Sequence, residues 1–142
     1  MPQARPINRA LMLVTVLLVA ACSGGSSGPT GPALTPADGV VQLDLTGSLQ
    51  ISQGGNKVAA IQVTQGQTYT FRITNAAGFA HNFHIGIDAD LAAAKTGLPG
   101  LADFSNGTQE FTYTFAASGQ LMFGCTVPGH YGSMKGTFDI QP

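Results

Sequence analysis

Charge and cysteine are both scarce in this chain of 142 residues, and each shortage rules something out. Only 9% of the residues are Asp, Glu, Lys or Arg. From Cys22 onward, four basic residues (Lys57, Arg72, Lys95, Lys135) stand against seven acidic ones (Asp38, Asp44, Asp88, Asp90, Asp103, Glu110, Asp139). With no basic patch, nucleic acid is excluded as a partner class, and so few charges give weak long-range steering. Two cysteines, Cys22 and Cys125, cannot build a disulfide framework. The longest apolar run, Ala10 to Ala21, is interrupted only by Thr15. It falls short of the roughly 20 residues that a lasting membrane-spanning helix needs. Methionine is rare too, with Met1 and Met12 inside the first 21 residues, so there is no Met-rich tract.

The apolar run does suit a secretory signal peptide. Arg5 and Arg9 form a short basic start, and residues 1–21 are expected to be removed. The run ends in Val19-Ala20-Ala21-Cys22, which resembles a bacterial lipobox. That resemblance implies that Cys22 becomes the lipidated first residue of the mature chain, and several acyl chains are what stable anchoring requires. Residues 22–37 are then an anchor and linker. The stretch SGGSSGPTGPALTPA is almost all Gly, Ser, Pro, Thr and Ala and buries too little to fold. As a flexible coil it would reach roughly 20 Å. The expected location is extracytoplasmic, tethered to a bacterial membrane on its periplasmic or cell-surface side.

Residues 38–142 read as one domain. Short runs of period-two alternation recur at 41–45, 57–63, 68–74, 81–87, 110–115, 120–125 and 136–140. Turn signals such as Gly54-Gly55-Asn56 and Gln65-Gly66-Gln67 separate them. Tyr69, Phe71 and Ile73 share one face, as do Phe111, Tyr113 and Phe115. Seven or eight such strands predict an all-β, two-sheet antiparallel Greek-key sandwich. One segment departs from the pattern. Asp88 to Thr96 (DADLAAAKT) predicts a short helix within an insertion over 88–108.

Chemistry concentrates near the C-terminus, in Cys125-Thr-Val-Pro-Gly-His130-Tyr-Gly-Ser-Met134. A thiolate, an imidazole and a thioether in one loop are three of the four ligands of a blue-copper site, which also needs a second His. Cys125 shares a strand face with Leu121 and Phe123, so its sulfur points inward, and a Pro-Gly turn brings His130 back toward it. His81 shares parity with Phe83, Ile85 and Ile87, the apolar side; His84, three residues on, faces the other way. Taken alone, His81 reads as a buried core histidine. Beside Cys125, His130 and Met134 it reads as the fourth ligand. A single unpaired Cys125 in an oxidising compartment is also exposed to oxidation unless something occupies it.

The run Phe123-Gly124-Cys125-Thr126-Val127-Pro128-Gly129-His130, followed by Met134-Lys135-Gly136-Thr137, resembles the ligand loop of azurin-type cupredoxins, and Cys-x4-His-x3-Met is the azurin spacing. His81-Asn82 resembles that family's upstream His-Asn pair. The resemblance implies one copper ion (Cu+/Cu2+) held by His81, Cys125, His130 and Met134. It further implies that Asn82 ties the two ligand loops together, with Thr126 as its partner. Ala80 stands where azurins carry Gly, and the azurin N-terminal disulfide is absent.

The expected function is therefore one-electron transfer, with the electron leaving through His130. Val127, Pro128, Gly129 and Tyr131, together with residues 77–79, are expected to form an uncharged patch where redox partner proteins bind transiently. The alternative, copper delivery or sequestration, calls for an exchangeable site in Met- or His-rich sequence. An oxygen- or nitrite-reducing enzyme needs an open coordination position or a second metal, and His84, Asp88 and Asp90 are too scattered to supply one. We expect no enzymatic turnover.

Overall fold

A computed structural model describes residues 32–142; the segment read as a signal peptide, Cys22 and most of the stretch read as a linker lie outside the described residues. Ten strands and one helix follow in order: β1 Val40–Leu45, β2 Ile51–Gln53, β3 Asn56–Lys57, β4 Ala60–Thr64, β5 Thr68–Asn75, β6 His81–Gly86, α1 Asp88–Ala92, β7 Gly100–Phe104, β8 Gly107–Thr114, β9 Met122–Gly124 and β10 Lys135–Gln141. They form two five-stranded sheets, ordered β3-β2-β1-β5-β8 and β4-β10-β9-β6-β7.

Alternation generates these strands as read from the sequence. In β1, Val41, Leu43 and Leu45 are buried and Gln42 is exposed. In β5, Phe71 and Ile73 point inward while Arg72 reaches Glu110 across the outer face of β8. The inward faces meet in one aromatic core. The Phe71 ring lies 5.1 to 6.4 Å from those of Phe83, Phe111, Phe115 and Phe138, and Phe83 stacks on Phe123 at 5.7 Å. Such pairs contribute about 0.5–1.5 kcal/mol each beyond their burial.

The structure corrects the expected topology in three places. The sandwich is not wholly antiparallel: β1 runs parallel to β5, and β4 parallel to β10. Parallel neighbours need a long crossover, and here the crossover from β1 to β5 passes through the opposite sheet by way of β4. Second, the run 57–63 is two strands. Val58 and Ala59 carry the chain from one sheet to the other, with Val58 N–H donating to Ile51 O at 2.9 Å and Thr137 N–H to Ala59 O at 3.0 Å. Third, the 88–108 insertion is more than a helix and loop, because β7 and the start of β8 lie inside it. Helix α1 stops at Ala92; Ala94 takes a positive φ of 48° and turns the chain out.

The ordered domain also begins before residue 38. Leu34 pairs with β4 inside the stretch read as linker, donating to Ala60 O and accepting from Gln62 N–H, both at 2.8 Å.

Gly136 of β10 sits against its cross-strand partner Phe123 and the Ala59 crossover with no room for a side chain. A Cβ there would lie 2.2 Å from Phe123 Cζ and 2.7 Å from Ala59 O. Gly136→Ala should therefore lower the stability of the copper-free domain by about 1–3 kcal/mol. Gly119→Ala, with nothing within 4 Å of its Cβ, should stay within about 0.5 kcal/mol. Urea denaturation of both variants checks the contrast.

Candidate metal centre

The site is built where β6 and β9 lie side by side. Their register pairs His84 with Gly124, Ile85 with Phe123 and Gly86 with Met122, which sets the start of β6 beside the end of β9. His81 opens β6 and Cys125 follows β9, so residues 44 apart in sequence arrive together. From Cys125 the chain loops out and returns as β10, the loop being closed by Cys125 N–H to Met134 O at 3.0 Å. Within it, His130 N–H donates to Val127 O at 3.0 Å and Met134 N–H to His130 O at 2.9 Å. Gly129, at φ 85°, supplies the left-handed residue this reversal needs.

Three donor atoms converge as a result. Cys125 Sγ lies 3.7 Å from His81 Nδ1 and 3.6 Å from His130 Nδ1, and the two Nδ1 atoms are 3.2 Å apart. A point equidistant from all three lies about 2.0 Å from each, the length of a first-row metal bond to imidazole nitrogen and slightly shorter than one to thiolate. Met134, fully buried, lies in the same loop with its backbone bonded to both Cys125 and His130. Soft sulfur, two imidazoles and a thioether are the donor set of a copper site. His81, Cys125, His130 and Met134 are thus positioned for one copper ion.

Burial sets the electrostatics. Cys125 is wholly shut off from solvent, and that burial pushes its thiol above the usual range, although the backbone N–H groups of Asn82 and Val127 pull the other way. Burial likewise lowers His81, as does the neighbouring His130; the Thr46 backbone opposes this without forming a hydrogen bond of full geometry to the buried Nε2. Burial and His130 both favour the neutral imidazole, the form that can ligate a metal.

A polar bridge holds the two ligand segments. Asn82 N–H points at Cys125 Sγ across 3.5 Å. The Asn82 side chain accepts from Thr126 N–H at 2.6 Å and donates to Thr126 Oγ1 at 3.0 Å. Two further residues were not singled out from the sequence. Asn75, buried at the end of β5, donates to Phe79 O at 3.0 Å and Phe104 O at 2.6 Å and accepts from Ala77 N–H at 2.9 Å. It thereby shapes the turn ahead of His81. Asp103 of β7 accepts from Asn82 Nδ2 at 2.8 Å. An Asx residue before a turn could have flagged Asn75; nothing local could have flagged Asp103.

Other sequence-predicted residues lie elsewhere. His84 is half-buried outside the donor cluster. Ile87, read as facing the interior, lies beyond the end of β6 and is 50% exposed. Tyr131, read as part of a surface patch around His130, instead packs its ring over Gly124, donates to Asp88 at 2.7 Å and carries Lys135 Nζ 4.6 Å above its ring. Phe79 does border the site. Its ring lies 4.8 Å from that of His81 and 6.0 Å from that of His130, and it is 41% exposed.

Comparison with known proteins agrees with this geometry. The family of copper binding proteins described as plastocyanin/azurin matches residues 52–141. Auracyanin-A of Chloroflexus aurantiacus is 29% identical over 158 residues, covering 93% of this chain and 94% of that protein. The solved structure of auracyanin A, titled a "blue" copper protein, covers 72% of this chain and 98% of its own, at 26% identity and a TM-score of 0.54. Rusticyanin from Thiobacillus ferrooxidans shares the fold, with a TM-score of 0.59 at 18% identity over 80% of this chain and 86% of its own.

Because the raised thiol of Cys125 is protonated at neutral pH, copper uptake must expel that proton. Loading the metal-free domain with Cu(II) at pH 7 in weak buffer should release about one proton per ion, measured by pH-stat. Affinity should fall as the pH is lowered, since protons then compete for the sulfur. Cys125→Ser should abolish the release.

Proposed function

Because the chain belongs to the plastocyanin/azurin family of copper-binding proteins, we propose that it is a type 1 copper protein carrying single electrons outside the cytoplasm. The observation that carries this reading is the buried triangle of Sγ and two Nδ1 atoms with Met134 in the same loop. A bound copper ion would supply the one-electron Cu(I)/Cu(II) couple; the rest is done by the chain.

Cys125, His81 and Met134 are closed to solvent, which favours a carrier over an enzyme that must admit a small substrate to the metal. The same burial favours a carrier over a copper-delivery protein, since releasing the ion would require the 125–134 loop to open. The Asn82–Thr126 bridge and the backbone bonds of the loop hold the donor atoms against movement as charge changes. A site that moves little favours rapid electron exchange.

His130 is the proposed exit. Of the two imidazoles, His81 is fully buried and His130 only partly so. Around His130 lie Val127, half-buried, and Pro128, Gly129 and Phe79, all exposed. This uncharged surface suits the small, transient interfaces of redox partners. In the proposed setting, lipid on Cys22 holds the domain at a bacterial membrane and the Gly/Ser/Pro linker lets it turn between donor and acceptor.

Two measurements test the reading. The chain from residue 23, loaded with copper and oxidised, should show an intense thiolate-to-copper visible band that bleaches reversibly with reductant and is lost in Cys125→Ser. Colourless protein would sink the carrier assignment. Pro128→Asp should leave the band unchanged yet slow electron self-exchange by about tenfold at low salt, because two like charges would then face each other across the contact. An unaltered rate would place the exit elsewhere.

A further inference from the structure

The 88–108 insertion places a carboxylate against the bridge that holds the copper ligands. Strand β7 pairs with the ligand-bearing strand β6, His81 lying opposite Phe104 and Phe83 opposite Leu101, with a register shift between them. That shift leaves Asn82 beside Asp103, and Asp103 Oδ1 accepts from Asn82 Nδ2 at 2.8 Å. Asn82 is 5% exposed and every polar atom of its side chain is engaged.

A carboxylate can only accept a hydrogen bond. Thr126 Oγ1 can donate or accept and decides nothing, but Thr126 N–H can only donate, so it and the carboxylate fix the Asn82 amide from opposite sides. Asp103 requires the NH2 group on its own side. That leaves Asn82 Oδ1 for Thr126 N–H, the short 2.6 Å bond directly after Cys125, while the Asn82 backbone N–H points at Sγ. From the carboxylate to the sulfur the path is thus one side chain long.

Resting on the copper-carrier reading above, we propose that Asp103 is a positioning residue that orients the Asn82 bridge and, through its negative charge, holds the reduction potential of the site down. A negative charge favours the oxidised, more positive state of a nearby metal centre, so removing it shifts the balance toward reduction. Because Asp103 itself is exposed, salt should screen its influence.

Three variants separate the two roles. Asp103→Asn removes the charge but keeps an oxygen able to accept from Asn82. Asp103→Ala removes both. Asp103→Glu keeps both charge and acceptor. In the copper-loaded protein at low salt, Asp103→Asn should move the equilibrium with a one-electron mediator about three- to tenfold toward the reduced form. A tenfold shift corresponds to 59 mV. The visible band should not change, the shift should shrink in 1 M salt, and Asp103→Glu should stay near the wild-type potential. In the copper-free protein, hydrogen exchange at the Thr126 amide should be unchanged in Asp103→Asn and about tenfold faster in Asp103→Ala.

A wild-type potential in Asp103→Asn at low salt would overturn the charge role, and unaltered Thr126 exchange in Asp103→Ala would overturn the orienting role. A wild-type protein with no reversible couple would sink the carrier reading and this proposal with it. A normal wild-type couple that Asp103→Asn fails to move sinks this proposal alone.

Discussion

Whether four side chains from two distant parts of the chain can hold one ion depends on how β6 lies against β9. With His84 opposite Gly124 and Ile85 opposite Phe123, the ends of the two strands coincide and His81 meets Cys125. A slip of one residue would turn every side chain of β6 to the other face, putting His84 inward and the imidazole of His81 out. The register is held from below by buried aromatics: Phe83 stacks on Phe123, and both lie in the cluster around Phe71. It is held from the side by Gly124, whose missing side chain makes room for the Tyr131 ring and the Met134 carbonyl. Core packing and metal geometry are consequently the same constraint viewed from two ends of one sheet.

Around that contact, backbone and side-chain polarity do the fixing. The 125–134 loop closes on itself through its own amides, which link Cys125, His130 and Met134 to one another. His81 needs outside support and receives it on both sides. Asn75 shapes the turn before it, and Asn82, immediately after it, reaches across to Thr126. Every such group is buried or nearly so, where an unpaired polar atom would be costly. These contacts hold a donor triangle whose sides are 3.2 to 3.7 Å.

The 88–108 insertion packs against the ligand-bearing strand and loop. Its strand β7 covers the edge of the ligand strand, its helix α1 buries Leu91, and Asp88 at the head of that helix binds Tyr131 of the ligand loop and Lys135 at the start of β10. The match over residues 52–141 makes the chain a member of its family, and these neighbours pack against its ligand-bearing segments.

What could be read from the sequence was whatever depends on near neighbours along the chain. The Cys125–Met134 loop is such a feature, since spacing and a Pro-Gly reversal suffice to bring its three ligands round one point. Strand periodicity is another, and parity alone separated His81 from His84. The tertiary structure decided what depends on which strands become neighbours. Local alternation says that a strand exists but not which partner it takes, so the parallel pairs β1/β5 and β4/β10 were out of reach. The division of 57–63 between two sheets, the strand hidden in the insertion and the approach of Asp103 to Asn82 were equally so. Each arises from contacts between residues far apart in the chain, where burying the aromatic core, rather than any local propensity, selects the pairing.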